Sequence, residues 1–170
     1  MIHTHIALAV LTILTGAQNP VLRKKTESIP QVTKEIKKLL KDMEATTKSA
    51  DGGGLAAPQI GRSERVCISM INGKLTPLIN PEITWKSGEI DIQQEGCLSL
   101  PGIWLNVPRS KELTLTYLDE KGQAQERKFS EWDARVVQHE IDHLNGKLII
   151  DYLPWFKRLF TCKQKPKFTQ

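Results

Sequence analysis

The pattern His-Glu-Ile-Asp-His at positions 139–143 constrains this chain more than any other feature. It is an H-E-x-x-H pattern, typical of a helix that binds a metal ion and activates water. A spacing of four residues returns to nearly the same face of an α-helix, so His139 and His143 can bind one ion. Glu140 then lies beside that ion, where its carboxylate can accept a proton. About 0.006 such patterns are expected by chance in this composition, so the pattern predicts a metal-dependent hydrolase.

The composition is that of an ordinary folded protein, with 39% hydrophobic and 25% charged residues. We expect one domain over residues 1–153, followed by a short basic helix or tail over residues 154–170. The net charge of +5 is concentrated in that tail, because no acidic residue follows Asp151. The tail is either a solvated end or an arm that docks on RNA or the ribosome.

Three cysteines, Cys67, Cys97 and Cys162, form an odd set without paired spacing. They indicate reduced thiols rather than a disulfide framework. The apolar run over residues 6–14 lacks a preceding basic segment and is too short to span a bilayer. We therefore expect it to form a leading strand or another buried segment.

The remaining periodicities predict an α+β fold with antiparallel sheets. A capping box at residues 28–31 predicts an amphipathic helix that ends near Lys48. Two hairpins are expected, one over residues 65–80 with an Asn-Gly turn, and one over residues 113–129. The metal helix should begin after Ser130 and end before Gly146.

A catalytic site of the zinc type needs a third protein ligand, and neither Glu nor His occurs after His143. On spacing alone, Asp151 and Cys162 remain possible ligands. Cys97 is the better candidate, because glycine and polar residues surround it in Glu-Gly-Cys-Leu-Ser-Leu-Pro-Gly at 95–102. Cys67, by contrast, lies within an apolar strand pattern and is expected to fill the core.

Three segments of the chain resemble the three motifs of the peptide deformylases, in the same order. They are Gly-Gly-Gly-Leu-Ala-Ala-Pro-Gln at 52–59, Glu-Gly-Cys-Leu-Ser at 95–99 and Gln-His-Glu-Ile-Asp-His at 138–143. The similarity extends from about Ile13 to Leu153. It implies antiparallel sheets around a central metal helix, with an amphipathic N-terminal helix and a short C-terminal helix.

The resemblance also implies the chemistry of the site. Cys97, His139 and His143 would bind one divalent ion, with Fe(II) expected and zinc, nickel or cobalt able to occupy the same ligands. The reaction would be hydrolysis of the N-formyl group of a nascent peptide, releasing formate. Glu140 would serve as general base and acid, and the Leu98 N–H and the Gln59 amide would stabilise the oxyanion.

The substrate would pair with the glycine-rich segment, whose backbone a peptide can approach closely. The residues expected to bind substrate are Gly52, Gly53, Gly54, Leu55, Gly96, Trp104, Trp132 and Val136. Gly53 stands where relatives usually carry a branched aliphatic residue, which predicts weaker substrate binding here. Arg109 and Asp142 are expected to form an ion pair behind the ligands, and Glu95 to have a structural role nearby.

The expected partners are N-formyl-methionyl nascent peptides and, through the basic tail, the ribosome near its exit tunnel. We expect a cytoplasmic monomer that does not associate with membranes, from a bacterium, a phage or an organelle. Two other interpretations are compatible with the metal motif. One is an H-E-x-x-H endopeptidase, which lacks its downstream ligand; the other is an RNA-binding module with a structural metal, which lacks a fourth ligand.

Overall fold

A computed structural model describes residues 8–161, with side chains described as far as residue 158. The helices are α1 (Lys34–Ser49), α2 (Glu131–Leu144) and α3 (Trp155–Thr161). The strands are β1 (Gly54–Ala56), β2 (Val66–Ile71), β3 (Lys74–Lys86), β4 (Ile90–Gly96), β5 (Trp104–Ser110), β6 (Glu112–Leu118) and β7 (Ala124–Ser130). Short 3-10 helices cover Ala57–Ile60 and Ile149–Tyr152.

All strand pairs of the described chain are antiparallel, which confirms the predicted sheet type. One sheet has the order β1-β2-β3-β6-β7, and β4 and β5 form a separate two-stranded sheet. Both predicted hairpins are present, as β2–β3 and β6–β7. Asn72 and Gly73 both have positive φ, as the tight turn between β2 and β3 requires.

Helix α2 lies between the two sheets. Its apolar side packs into the core of the five-stranded sheet through Ala134, Val137, Ile141 and Leu144. These residues recur with helical spacing, as expected for a buried stripe. Cys67 is fully buried in the same core, as predicted. The opposite side of α2 carries polar residues and faces the β4–β5 sheet.

Helix α1 begins five residues later than the capping box predicted. Its N-cap is Thr33, whose hydroxyl accepts a hydrogen bond from the Ile36 N–H. The predicted start fails because the Asn80 side chain binds both the N–H and the carbonyl of Ile29, at 2.9 and 2.8 Å. Those bonds replace the ones that a helix would make there. The apolar stripe of α1 then packs against Leu55 and its neighbours in a second core.

The segment before α1 is neither a strand nor buried over the part that is described, residues 8–14. Val10 is 64% exposed. In space, the segment runs along the side of α1. The Ala9 N–H donates a hydrogen bond to the Asp42 carboxylate, and the Leu11 N–H donates one to the Thr46 hydroxyl. Polar side chains on α1 therefore bind this backbone in place of a neighbouring strand. Residues 6 and 7 lie outside the described part of the chain.

Beyond Leu153 the chain forms α3. Arg158 of this helix donates hydrogen bonds to the Asp151 and Leu153 carbonyls, which hold α3 against the preceding segment. Trp155 and Phe156 are exposed. Cys162 and the remaining basic tail lie outside the described residues. Among the helices that are described, none has the length and apolar character needed to cross a membrane.

Candidate active site

Two elements bring the predicted metal ligands together. His139 and His143 lie one turn apart on α2, and Cys97 is the first residue after β4. The ligand atoms of all three lie within 4.8 Å of one another, with the Cys97 Sγ 3.2 Å from the His143 Nε2. Gly146, with a φ of +73°, ends the helix directly behind this group, as the sequence predicted.

This group fits a single divalent metal ion. A thiolate and two imidazoles are ligands that iron, zinc, nickel and cobalt accept. The His139 Nδ1 lies 3.0 Å from a Glu95 oxygen, which leaves the Nε2 free for an ion. Among the described residues, no fourth side chain joins the three, so the group leaves a coordination position open. Asp151 is not part of it, because its carboxylate binds Arg23 and the Leu148 N–H.

The surroundings of Cys97 favour its ionised form, which is the form that binds a metal. Burial alone would raise the pKa of the Cys97 thiol, but the charges and hydrogen bonds of His143 and His139 hold it well below its ordinary value. Burial would lower the pKa of His139, but hydrogen bonds to Cys97 and Glu95 raise it to about 10. A bound metal ion would take the place of the His139 proton, because an imidazole binds a metal in its neutral form.

Glu140 is buried beside the ligands, and one of its oxygens, Oε2, has no hydrogen-bond partner among the described residues. Burial raises the pKa of this carboxyl to about 7, although the nearby histidines oppose the shift. Gly54 of β1 lies against it, so closely that an added Cβ would overlap the Glu140 carboxylate. A carboxyl group that takes up and gives up a proton near neutral pH suits general base and acid catalysis.

Gln59 reaches the site from the 3-10 helix after β1. Its Oε1 accepts a hydrogen bond from the Ala56 N–H at 2.8 Å, which fixes the orientation of the amide. The Nε2 then lies 3.1 Å from the Ser99 Oγ and 3.9 Å from the Cys97 Sγ. Ser99 is completely buried and was not among the predicted site residues, although it belongs to the second motif.

A cavity of about 470 Å³ opens beside the ligands and runs between the first two motifs. Seven of the eight predicted substrate-binding residues line it: Gly52, Gly53, Gly54, Gly96, Trp104, Trp132 and Val136. The exception is Leu55, whose side chain is fully buried in the core against α1. Side chains alternate along a strand, so Leu55 points away from the face that Gly54 presents.

Two exposed tryptophans lie along this cavity. Trp104 is 62% exposed and Trp132 is 57% exposed. The Trp104 ring lies over Gly96, where an added Cβ would be only 2.9 Å from the ring. Glycine at position 96 therefore leaves room for the indole beside the strand that leads to Cys97.

Behind the ligands lies a buried network of charged residues. The predicted pair of Arg109 and Asp142 is present, with a separation of 2.5 Å, and Tyr152 donates to the same Asp142 oxygen. Arg109 also binds both oxygens of Glu95, at 3.0 and 2.9 Å. Burial would raise the pKa of Glu95, but the hydrogen bonds from Arg109 and His139 lower it to about 2. Glu95 is thus ionised and directly contacts His139, one of the three predicted ligands.

Arg135 also belongs to this network, although the sequence did not predict it. Its Nη1 donates to Glu95 at 2.6 Å and to the Val107 carbonyl at 3.0 Å, and its Nη2 donates to the Asp91 carbonyl at 2.9 Å. One signal was available, since Arg135 precedes His139 by one helical turn and so shares its face.

Comparisons with known proteins agree with this geometry. Residues 10–158 match the profile of the polypeptide deformylase family. The peptide deformylase of Pseudothermotoga lettingae is 48% identical over 147 residues, which cover 86% of this chain and 85% of that protein. The crystal structure of the Ehrlichia chaffeensis enzyme in complex with actinonin is 36% identical, with a TM-score of 0.87, over 91% of this chain and 95% of that one.

A Met-Ala-Ser bound crystal structure of the Acinetobacter baumannii peptide deformylase has a TM-score of 0.82 and 30% identity. The alignment covers 86% of this chain and 100% of that one. Family profile, curated relative and solved structures thus agree over most of the described residues. This chain belongs to the polypeptide deformylase family, the metal-dependent hydrolases that remove the N-formyl group from nascent polypeptides.

Proposed function

We propose that Cys97, His139 and His143 hold the divalent metal of this enzyme and that the native ion is Fe(II). The observation that carries the proposal is the convergence of one thiolate and two imidazoles within 4.8 Å at the edge of the cavity. When bound, such an ion acts as a Lewis acid and makes hydroxide available near neutral pH. Zinc, nickel or cobalt would occupy the same ligands in a purified sample.

Glu140 is the proton carrier in this proposal. Its free oxygen accepts a proton from the water that attacks the formyl carbon, and it returns that proton to the leaving amine nitrogen. The C–N bond then breaks, and the products are formate and a peptide with a free amino terminus. Burial and a pKa near 7 suit a group that must both take and give a proton.

Two donors stabilise the negative charge that develops on the formyl oxygen, namely the Leu98 N–H and the Gln59 side-chain amide. Gln59 is held in place before substrate arrives, because its own oxygen already binds the Ala56 N–H. Such preorganised donors are worth about 3 kcal/mol each in other hydrolases. Ser99 supports this arrangement as the neighbour of the Gln59 amide.

The substrate is an N-formyl-methionyl peptide that enters the cavity along Gly52–Gly54. β1 is an edge strand of the five-stranded sheet, so a peptide can add beside it through backbone hydrogen bonds. Val136 and Trp132 border the space for the methionine side chain, and Trp104 and Gly96 border the residues that follow. The bound Met-Ala-Ser of the Acinetobacter enzyme has the sequence of such a product.

Formate release from formyl-Met-Ala-Ser under anaerobic conditions tests the proposed reaction. We expect release by the Fe(II)-loaded protein and a loss of at least about 1000-fold in Glu140→Ala. Acetyl-Met-Ala-Ser serves as the control substrate and should not be cleaved. If the loaded protein released no formate, or if Glu140→Ala released it at the normal rate, the proposal would be wrong.

We further propose that the protein acts as a monomer in the cytoplasm, where formylated chains emerge, with residues 1–153 as the catalytic domain. Residues 154–170 would then dock on ribosomal RNA through their basic side chains. Exposed Trp155 and Phe156 at the start of α3 offer an apolar contact beside that charge. Cosedimentation with ribosomes should be lost when residues 157–170 are deleted. Binding that survives the deletion would contradict the docking role.

A further inference from the structure

The metal helix α2 holds the β4–β5 sheet through a stripe of polar side chains. Arg135, Gln138, His139 and Asp142 lie on one face of α2, at positions i, i+3, i+4 and i+7. Gln138 binds both the N–H and the carbonyl of Ser110 on β5, at 3.2 and 2.9 Å. The position of this small sheet on the helix therefore depends on hydrogen bonds with defined directions.

Arg135 contacts both strands of the small sheet. On β4 it binds Glu95 and the Asp91 carbonyl, and its Nη2 is also 3.3 Å from the Asp91 carboxylate. On β5 it binds the Val107 carbonyl. The Arg135 side chain is only 3% exposed, so water cannot easily replace these bonds.

These contacts link the two halves of the metal site. Cys97 follows Glu95 by two residues at the end of β4, whereas His139 and His143 belong to α2. Arg135 belongs to the helix and binds Glu95, the same carboxylate that orients His139. A shift of β4 along α2 would therefore change the distance between the thiolate and both imidazoles.

We propose that Arg135 is a positioning residue that sets the distance of Cys97 from the histidines and so retains the metal. The inference depends on the metal site proposed above. Arg109 also binds Glu95, but it belongs to β5 and reaches α2 only at Asp142, near the other end of the stripe. It therefore does not replace the bonds of Arg135 to Val107 and Asp91. Without Arg135, β4 loses the hydrogen bonds that Glu95 and the Asp91 carbonyl accept from the first half of α2.

Metal loss from the cobalt-loaded protein tests this role without any substrate. In Arg135→Met, which keeps an unbranched apolar stem but removes the donors, we expect Co(II) to transfer to an excess of chelator 10- to 100-fold faster. The sulfur-to-cobalt charge-transfer absorption, which reports the Cys97 bond, should weaken or shift. The kcat should fall, while KM changes little. Arg127→Met is the matched control, since Arg127 is exposed on the edge strand β7.

A rate of metal loss within twofold of the wild type, with unchanged absorption, would overturn the proposal, even if the variant melted at a lower temperature.

Should Arg135→Met fail to fold, Arg135→Lys replaces it. Lysine keeps the charge but has one nitrogen, which cannot bind Glu95, Val107 and Asp91 together. We expect several-fold faster metal loss in that variant, and a wild-type rate would equally overturn the proposal. A wild-type protein that retains cobalt but releases no formate would contradict only the proposed reaction.

Discussion

At the scale of single residues, Gly54 and Glu140 show how closely the backbone approaches the proposed catalytic carboxylate. An added Cβ at position 54 would overlap the Glu140 carboxylate, so Gly54→Ala must displace it. We expect kcat/KM on formyl-Met-Ala-Ser to fall about 100-fold, because a displacement of about 1 Å has that effect on a positioned catalytic group. Gly88→Ala is the control, since an added Cβ there has nothing within 4 Å. Equal activity of the two variants would contradict the expectation.

The neighbouring Gly53 should respond in the opposite direction. It lines the cavity, and an added Cβ at this position has nothing within 4 Å. Gly53→Ile would add an apolar wall to the methionine pocket, which we expect to raise kcat/KM about 10-fold, chiefly through KM. Gly53→Ala, which adds a single carbon, should show a smaller gain. An unchanged kcat/KM in the isoleucine variant would show that the open wall does not weaken binding.

At the scale of elements, the first residue of α2 is strained. Glu131 has a φ of +51°, a left-handed conformation that favours glycine. We expect Glu131→Gly to have a free energy of unfolding about 1 kcal/mol higher than Glu131→Ala, since both variants lose the side chain but only glycine relieves the strain. Urea denaturation of the metal-free proteins measures the difference. Equal stability of the two variants would mean that the backbone there is not strained.

The elements also show what a sequence can and cannot predict here. The hairpins and the end of α2 follow from local signals, such as Asn72-Gly73, that act within a few residues. The start of α1 was missed because Asn80, distant in sequence, binds the Ile29 backbone. Arg135 was missed for a similar reason, since its partners on β4 and β5 meet it only in the folded chain. Cys97 was predicted because the metal motif requires a third ligand, and the structure places it beside both histidines.

At the scale of the whole molecule, the buried Glu95 couples the metal site to acid stability. Its pKa is about 2 in the folded protein, below the ordinary value of 4.5. The unfolded chain therefore binds more protons between these values, and the free energy of unfolding rises with pH across that window. The contribution is complete above about pH 5 and is lost as the pH falls toward 2. It amounts to about 3 kcal/mol.

Glu95→Gln should remove this pH dependence while keeping the size of the side chain. We expect the metal-free variant to be less stable than the wild type at pH 6, with the difference shrinking toward pH 2.5, where the wild-type carboxylate begins to take up its proton. Urea denaturation across this range measures both curves. Glu112→Gln, at an exposed ion pair with Lys128, is the control and should follow the wild type closely.

Parallel curves for Glu95→Gln and the wild type would mean that the ionised Glu95 does not stabilise the fold. The network behind the ligands would then serve only to orient His139, and acid would weaken the enzyme by releasing its metal rather than by unfolding the chain.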